Sequence, residues 1–388
     1  MKKICYFFTI LILALLLILV CLIKSRQNQS LESPDSPLDS LSPRSNEAAI
    51  EVAAGANGEY IKWVDFNVTY EALCAAYDLD VNSYDSPVRL NWIELLAYVG
   101  AKEGGSFDKK SVSLLQKLAD ELSQGKATLE ELTKDMKYYK YYYEAYEAVL
   151  GGMVGEYEIE QEADDGSKQW KKVYGLKAFS PIAKGFEYSD YDDFGSSRSY
   201  GYKRPHLGHD MMGQIGTPII CVESGYVEAL GWNQYGGWRI GIRSFDGKRY
   251  YYYAHLRQNF PYALNLEEGS VVTAGDVIGY MGHTGYSTKE NTNNIETVHL
   301  HWGLQLIFDE SQKEGNNEIW IDCYALTRFL YKNRSLTEKN QETKEWFRHF
   351  NMKDPAVEEY KQRLSDPPPS APSAPAAPSQ ARINDFGW

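Results

Sequence analysis

The sequence predicts a multidomain protein: an N-terminal transmembrane helix, an all-α domain, and then a mainly antiparallel β-sheet domain. Three observations predict it. An unbroken apolar run follows the first lysines. Apolar residues then recur at helical spacing as far as about residue 158. Beyond about residue 160 the period shortens to the alternation of strands, with Gly, Asn and Asp turns between them.

The opening "MKKICYFFTILILALLLILVCLIKSR" carries Lys2 and Lys3, then apolar residues from Ile4 to Ile23 apart from Thr9. At about 1.5 Å per residue this run crosses a hydrocarbon layer about 30 Å thick. A cleaved leader would have a shorter apolar core and small residues at its cut site. Here the core is long and no A-x-A pattern follows it, and Val20 is large for the residue before a lipid-modified Cys21. Residues 1–26 are therefore expected to be a short tip and a retained membrane anchor. Residues 27–56 are rich in Ser, Pro, Asp and Ala and cannot bury enough to order themselves, so they read as a linker.

Residues 57–159 read as the helical domain. "SVSLLQKLADELSQG" aligns Val112, Leu115, Leu118, Ala119 and Leu122 on one stripe, with Gly125 as a stop. "TLEELTKDMKYYKYYYEAYEAVLGG" begins with Thr128 and Glu131 at capping-box spacing and ends in Gly151-Gly152. Its tyrosine cluster is too aromatic for a solvated face and is expected to pack against the protein. Glu103, near the end of an apolar helix, has the position of a glycosidase acid, but no second motif supports that role. Residues 160–333 form the β domain, 334–364 a charged helical segment, and 365–388 a Pro/Ala/Ser tail.

Composition excludes some functions. The net charge is −13 over 388 residues, which argues against a nucleic-acid binder. Five cysteines lack CxxC spacing, so Cys74, Cys221 and Cys323 read as buried thiols rather than a disulfide framework.

The chemistry is carried by histidines, of which there are seven. In "NNIETVHLHWGL", His299 and His301 point to one face of a strand and Leu300 to the other. Such a pair alone also suits a packed core. "RPHLGHDMMGQIGTPI" adds His206 and Asp210, both suitable zinc donors. With His301 they make three protein ligands and leave a fourth position open, as a catalytic site requires. His209 between them is expected to be exposed or to sit behind the ligands. "YYYYAHL" ends a strand with His255. His255 and His299, left over once a metal is served, can move a proton and steady an oxyanion. No HExxH is present to supply a glutamate base. Tyr251, Tyr253 and Trp302 are expected to line or buttress the groove.

These elements carry a resemblance. "HLGHD", "GTPI", "ESGYVEALGW", "YYAHL", "GSVVTAGDVIGYMGHTGYST" and "HLHWGL" occur in the order found in the M23, or LytM/lysostaphin-like, peptidoglycan endopeptidases. The resemblance covers about residues 195–310. It implies a zinc-dependent β-sheet groove that cuts peptide crosslinks or bridges of the bacterial cell wall. Its one Zn²⁺ would fall on His206, Asp210 and His301, and its catalytic histidines on His255 and His299. A wall substrate would place the domains after the anchor outside the cell membrane. The same resemblance also admits a non-catalytic scaffold or activator of an envelope or sporulation complex, with protein partners held by the helical domain. "KENTNNIETV" intervenes between Thr288 and His299, where relatives commonly run almost directly on. It is expected to reshape one wall of the groove.

Overall fold

A computed structural model describes residues 60–199, 203–313 and 317–365. The expected anchor, the linker and nearly all of the tail lie outside the described residues. Among the described residues, no helix is long and apolar enough to cross a membrane.

Among the described residues, five helices come first: α1 Tyr70–Asn82, α2 Trp92–Glu103, α3 Lys109–Ser123, α4 Leu129–Thr133 and α5 Tyr139–Leu150. Short polar side chains start them. Thr69 accepts from the Ala72 amide, Asn91 from Ile93 and Glu94, and Asp108 from Lys110 and Ser111. Gly104 ends α2 at φ 64°, a left-handed conformation that glycine adopts without strain. On α3, Leu115, Leu118, Ala119 and Leu122 are buried. The Thr128–Glu131 capping box forms, yet it opens only a short helix. The chain turns after Thr133 and resumes at Tyr139, where the single long helix expected from the sequence is broken. Tyr141, Tyr142 and Tyr146 of α5 are buried. Tyr146 reaches the helix opposite only because Gly100 has no side chain; a Cβ there would lie 2.8 Å from its hydroxyl.

Strands follow: β1 Val154–Glu162, β2 Lys168–Leu176, β3 Ser189–Asp190, β4 Ser197–Ser199, β5 Lys203–Pro205, β6 His209–Met212, β7 Pro218–Ile220, β8 Gly225–Asn233, β9 Gly237–Ser244, β10 Arg249–Ala254, β11 Val271–Val272, β12 Val277–Tyr280, β13 His299–Leu306 and β14 Ile319–Ile321. Strand structure thus starts at Val154, inside the stretch expected to be helical. The main sheet is antiparallel, in the order β11-β8-β9-β10-β13-β6-β3, with β14 also on β13. A short helix, α6 Tyr324–Leu330, follows β14. One apolar core runs through helices and sheet alike, from Leu73, Leu96 and Leu150 to Ile240, Trp302 and Phe329. The helical part therefore buries its apolar stripes against the β part, not within itself alone.

Residues 334–364, expected to be helical, differ. They form a hairpin of β15 Thr337–Lys339 and β16 Trp346–Arg348, then β17 Met352–Lys353, and become helical only in α7 Pro355–Ser365. Lys and Glu recur there as on a solvated helix, but Asn340 captures the chain first. Its side chain accepts from the amides of Glu342 and Thr343 and makes a turn. Trp346 then packs on Phe186, with ring centroids 5.2 Å apart. β17 joins β1 and β2 in a separate three-stranded sheet.

The helical part is clamped to β10 by one guanidinium. Arg249, 1% exposed, donates to both oxygens of Glu223 at 2.7 and 3.1 Å and to Asp246 at 2.9 Å. It also donates to the carbonyls of Glu147 and Ala148 at the end of α5, at 3.3 and 3.0 Å. A cation belongs at a helix C-terminus, where unpaired carbonyls gather negative charge. Replacing Arg249 with Met leaves Glu223 buried without its cation, with the Tyr251 hydroxyl still donating to it. Arg249→Met should therefore cost about 3–5 kcal/mol, read as a lowered urea midpoint for the whole chain.

Candidate metal centre

The site is built on one rung of the main sheet. Register pairs His301 of β13 with Asp210 of β6 on one side and with Ala254 of β10 on the other. Paired residues face the same way, so Asp210 and His301 meet on the open face. His206 arrives from the loop after β5. That loop lies close over β13 because residue 208 is glycine; a Cβ there would sit 2.5 Å from His301 Nε2.

Three donor atoms converge. His206 Nε2 lies 3.1 Å from Asp210 Oδ1 and 3.1 Å from His301 Nδ1, and His301 Nδ1 lies 2.9 Å from Asp210 Oδ1. Among the described residues, these three form a group with ligand atoms all within 4.8 Å of one another. Two imidazole nitrogens and one carboxylate oxygen at such spacing suit a small divalent cation with bonds of about 2.0–2.2 Å.

Burial alone would push the Asp210 carboxyl up. Hydrogen bonds from His206 and His301 outweigh it and hold Asp210 well below the usual carboxylate range. For His206, burial favours the neutral ring, but the Asp210 hydrogen bond and the charges of Asp210 and Asp193 prevail and raise it. For His301, burial prevails and lowers it. Asp210 is thus held as a carboxylate, and of the two imidazoles His206 is the one inclined to hold a proton.

His255 and His299 stand beside the cluster, with ring centroids 4.7 Å apart. His255 follows β10 at φ 61°, unusual for a residue other than glycine. Its Nδ1 donates to the Thr284 carbonyl at 2.9 Å, and His299 Nδ1 donates to the Thr297 carbonyl at 2.8 Å. Carbonyls only accept, so in both rings Nδ1 carries the proton and Nε2 keeps a lone pair. His299 Nε2 lies 3.7 Å from Asp210 Oδ1. Burial, with help from His299 and His301, keeps His255 well below its ordinary value and so neutral.

Other expectations come out differently. His209 pairs with Trp302 in register and faces the back of the sheet; it is buried and donates to Asp190 at 2.8 Å, away from the cluster. Tyr251, Tyr253 and Trp302 are fully buried on that back face, where they buttress the sheet beneath the groove rather than line it. The groove is lined instead by Tyr250 and Tyr252, one residue out of phase with them, and by Trp320. Trp320 crosses the floor over Gly303, where a Cβ would lie 2.7 Å from its ring. The groove encloses about 1210 Å³ and extends past all five histidine and aspartate side chains of the site. Asn294, Ile295, Glu296 and Thr297, from the unusual insertion, line it. The insertion is pinned where Asn291 accepts from Trp238 Nε1 at 2.9 Å and where the Ile295 carbonyl accepts from His283 at 2.7 Å. Glu103 is exposed and is not among the groove residues.

Sequence reasoning missed Asp193. It accepts from His206 Nδ1 at 3.1 Å and pairs with Arg198, whose other contact is Asp210 Oδ2 at 3.4 Å. Asp193 thereby orients the His206 ring with Nε2 inward. The acidic run "SDYDDF" was visible, but no spacing rule connects it to His206.

A carboxylate and two imidazoles converging at a groove, with two spare imidazoles alongside, have the make-up of a metal-dependent hydrolase site. Residues 204–314 match the model of peptidase family M23. L-Ala–D-Glu endopeptidase of Bacillus subtilis is 33% identical over 160 residues, covering 41% of this chain and 47% of its own length. Glycyl-glycine endopeptidase ALE-1 of Staphylococcus capitis is 38% identical over 84 residues, covering 21% of this chain and 22% of its own. The chain thus spans about half the length of the first of these relatives and less of the second. The solved structure of lytM from Ruminococcus gnavus, 26% identical, covers 75% of this chain and 97% of that one with a TM-score of 0.47.

Two outcomes are expected. Asp193→Ala should weaken zinc binding about 10- to 100-fold, measured by competition with a chromophoric chelator. In the intact chain, zinc affinity should fall as pH drops through the raised His206 value, because the ion must displace that proton; chelator titrations across pH 6 to 8, a range about the ordinary histidine value, would show it.

Proposed function

We propose that the protein is a zinc-dependent endopeptidase that hydrolyses peptide crosslinks or bridges of bacterial peptidoglycan. The observation that carries this reading is the meeting of His206, Asp210 and His301 on the groove face, with His255 and His299 beside them. The names of the two curated relatives support peptide bonds of that kind as substrate. One zinc ion held by His206 Nε2, Asp210 Oδ1 and His301 Nδ1 would supply the charge that acidifies an attacking water and polarises a peptide carbonyl.

The chain's own groups do the rest. His255 and His299 each offer Nε2, with Nδ1 committed to a backbone carbonyl. One accepts the proton that the attacking water releases. Once protonated, it donates a hydrogen bond to the developing oxyanion and then returns the proton to the leaving amine. Neutral His255 is ready to accept at ordinary pH. Tyr250, Tyr252 and Trp320 give the peptide a flat aromatic floor. The apolar run from Ile4 to Ile23 serves in this reading as a single-pass anchor, with the catalytic part on the outer side of the cell membrane.

Mass spectrometry of purified peptidoglycan after digestion tests the proposal. His299→Ala should keep its zinc and release no peptide products, whereas His301→Ala should lose both zinc and products. Products from His299→Ala matching those of the wild type would overturn the mechanism. Wild-type chain that binds zinc and releases nothing would leave a scaffold role.

A further inference from the structure

The chain is strongly anionic, yet the groove is not. Arg198, Arg204, Arg239 and Lys313 all line it. Two of these are neutralised: Arg198 by Asp193 and Asp210, and Lys313 by Glu228 at 2.8 Å. The other two have no carboxylate within ion-pair distance among the described residues. Arg204 lies over the rings of Tyr235 and Tyr286, 5.1 and 5.5 Å from their centroids, and donates to the Tyr286 hydroxyl at 2.9 Å. Arg239 is half-buried on β9, and its buried Nε has no hydrogen-bond partner among the described residues.

Both guanidiniums line the groove that Tyr250 and Tyr252 also line. Each favours ionisation of the Tyr252 phenol, although burial is the larger influence and keeps that group raised. Asn233 donates to the Tyr252 hydroxyl at 3.2 Å. The Tyr252 ring is 6.0 Å from that of His301, and the Tyr286 ring is 6.0 Å from that of His255. Two arginines with no carboxylate partner among the described residues, both lining the groove beside the reacting centre, leave positive charge there for an anion to meet. Carboxylate is the anion whose planar pair of oxygens matches a guanidinium fork. The acids that line the groove besides Asp210, Glu296 and Glu318, form no ion pair with either arginine among the described residues, and Glu318 accepts from Trp320 Nε1 at 2.7 Å.

We propose that Arg204 and Arg239 form a carboxylate subsite, so that the groove selects an acidic stem peptide, with a free carboxylate close to the cleaved bond, over an uncharged glycine bridge. The subsite rests on the endopeptidase reading for its consequence but not for its existence. Neither arginine contacts the ligand cluster; each selects the substrate and leaves the chemistry to the histidines.

The test uses the zinc-loaded full chain and a matched pair of crosslinked stem peptides, one with free carboxylates and one with the same carboxylates amidated. Wild type should show a ratio of kcat/KM, acid over amide, of about tenfold or more, the size of one charge-assisted hydrogen bond. Arg239→Gln and Arg204→Gln should each bring that ratio toward one, and either variant suffices if the other does not fold. A wild-type ratio near one, a ratio that persists in both variants, or faster cleavage of a pentaglycine peptide would overturn the subsite. If neither stem peptide is cut, the endopeptidase reading fails. Equilibrium binding to His299→Ala then still decides the subsite: the acid peptide should bind about tenfold tighter than its amide, and equal affinities would sink it.

Discussion

Everything at the site hangs on one rung of the sheet register, Ala254 to His301 to Asp210 across β10, β13 and β6. Strand side chains alternate, so a one-residue slip of β13 would bury His299 and His301 and expose Leu300 and Trp302. The back face prevents the slip. Leu300, Trp302 and Leu304 are fully buried, and so are Tyr251 and Tyr253 on the neighbouring strand. At about 25 cal/mol per Å² of apolar surface, inverting so many large side chains outweighs any gain a misregistered ladder could offer. The position of the histidines is therefore a consequence of what lies beneath them.

The helical part contributes at a distance. Arg249 opens β10, the strand that ends at Ala254 beside His255, and its guanidinium is bound to the last carbonyls of α5. The helices thus hold one end of a strand whose other end delivers a site residue. A buried ion pair of this kind gives little net stability over an apolar replacement of good fit, but it specifies which groups must meet. Below the sheet the molecule is apolar and closely packed; above it, a polar groove gathers histidines, tyrosines and arginines. The contrast fits a rigid support carrying a polar site.

Much of this was legible beforehand. Alternation put His299 and His301 on one face, and the donor chemistry of His206 and Asp210 pointed to the same centre that the fold assembles. The cap at Thr128 and the stripe on α3 were also readable, because caps and stripes are local. The same alternation, carried one residue further, would have placed Trp302 and His209 on the back face. Two readings went astray for physical reasons. The charged stretch after residue 334 has helical charge spacing, but the Asn340 turn and the packing of Trp346 on Phe186 make it a hairpin. The helix begun at Thr128 breaks before Tyr139, so that three tyrosines can reach the core.

Local chemistry in the chain was enough to name the donors, the period of the strands and the apolar faces, since each depends on residues a few positions apart. It could not reveal that Asp193 turns the His206 ring, that Tyr250 and Tyr252 rather than their neighbours floor the groove, or that Arg204 and Arg239 have no acid partner among the described residues. Those facts depend on which distant segments meet, and long-range packing decides that: Gly208 letting its loop close on His301, Gly303 making room for Trp320, and a sheet register set by the buried face.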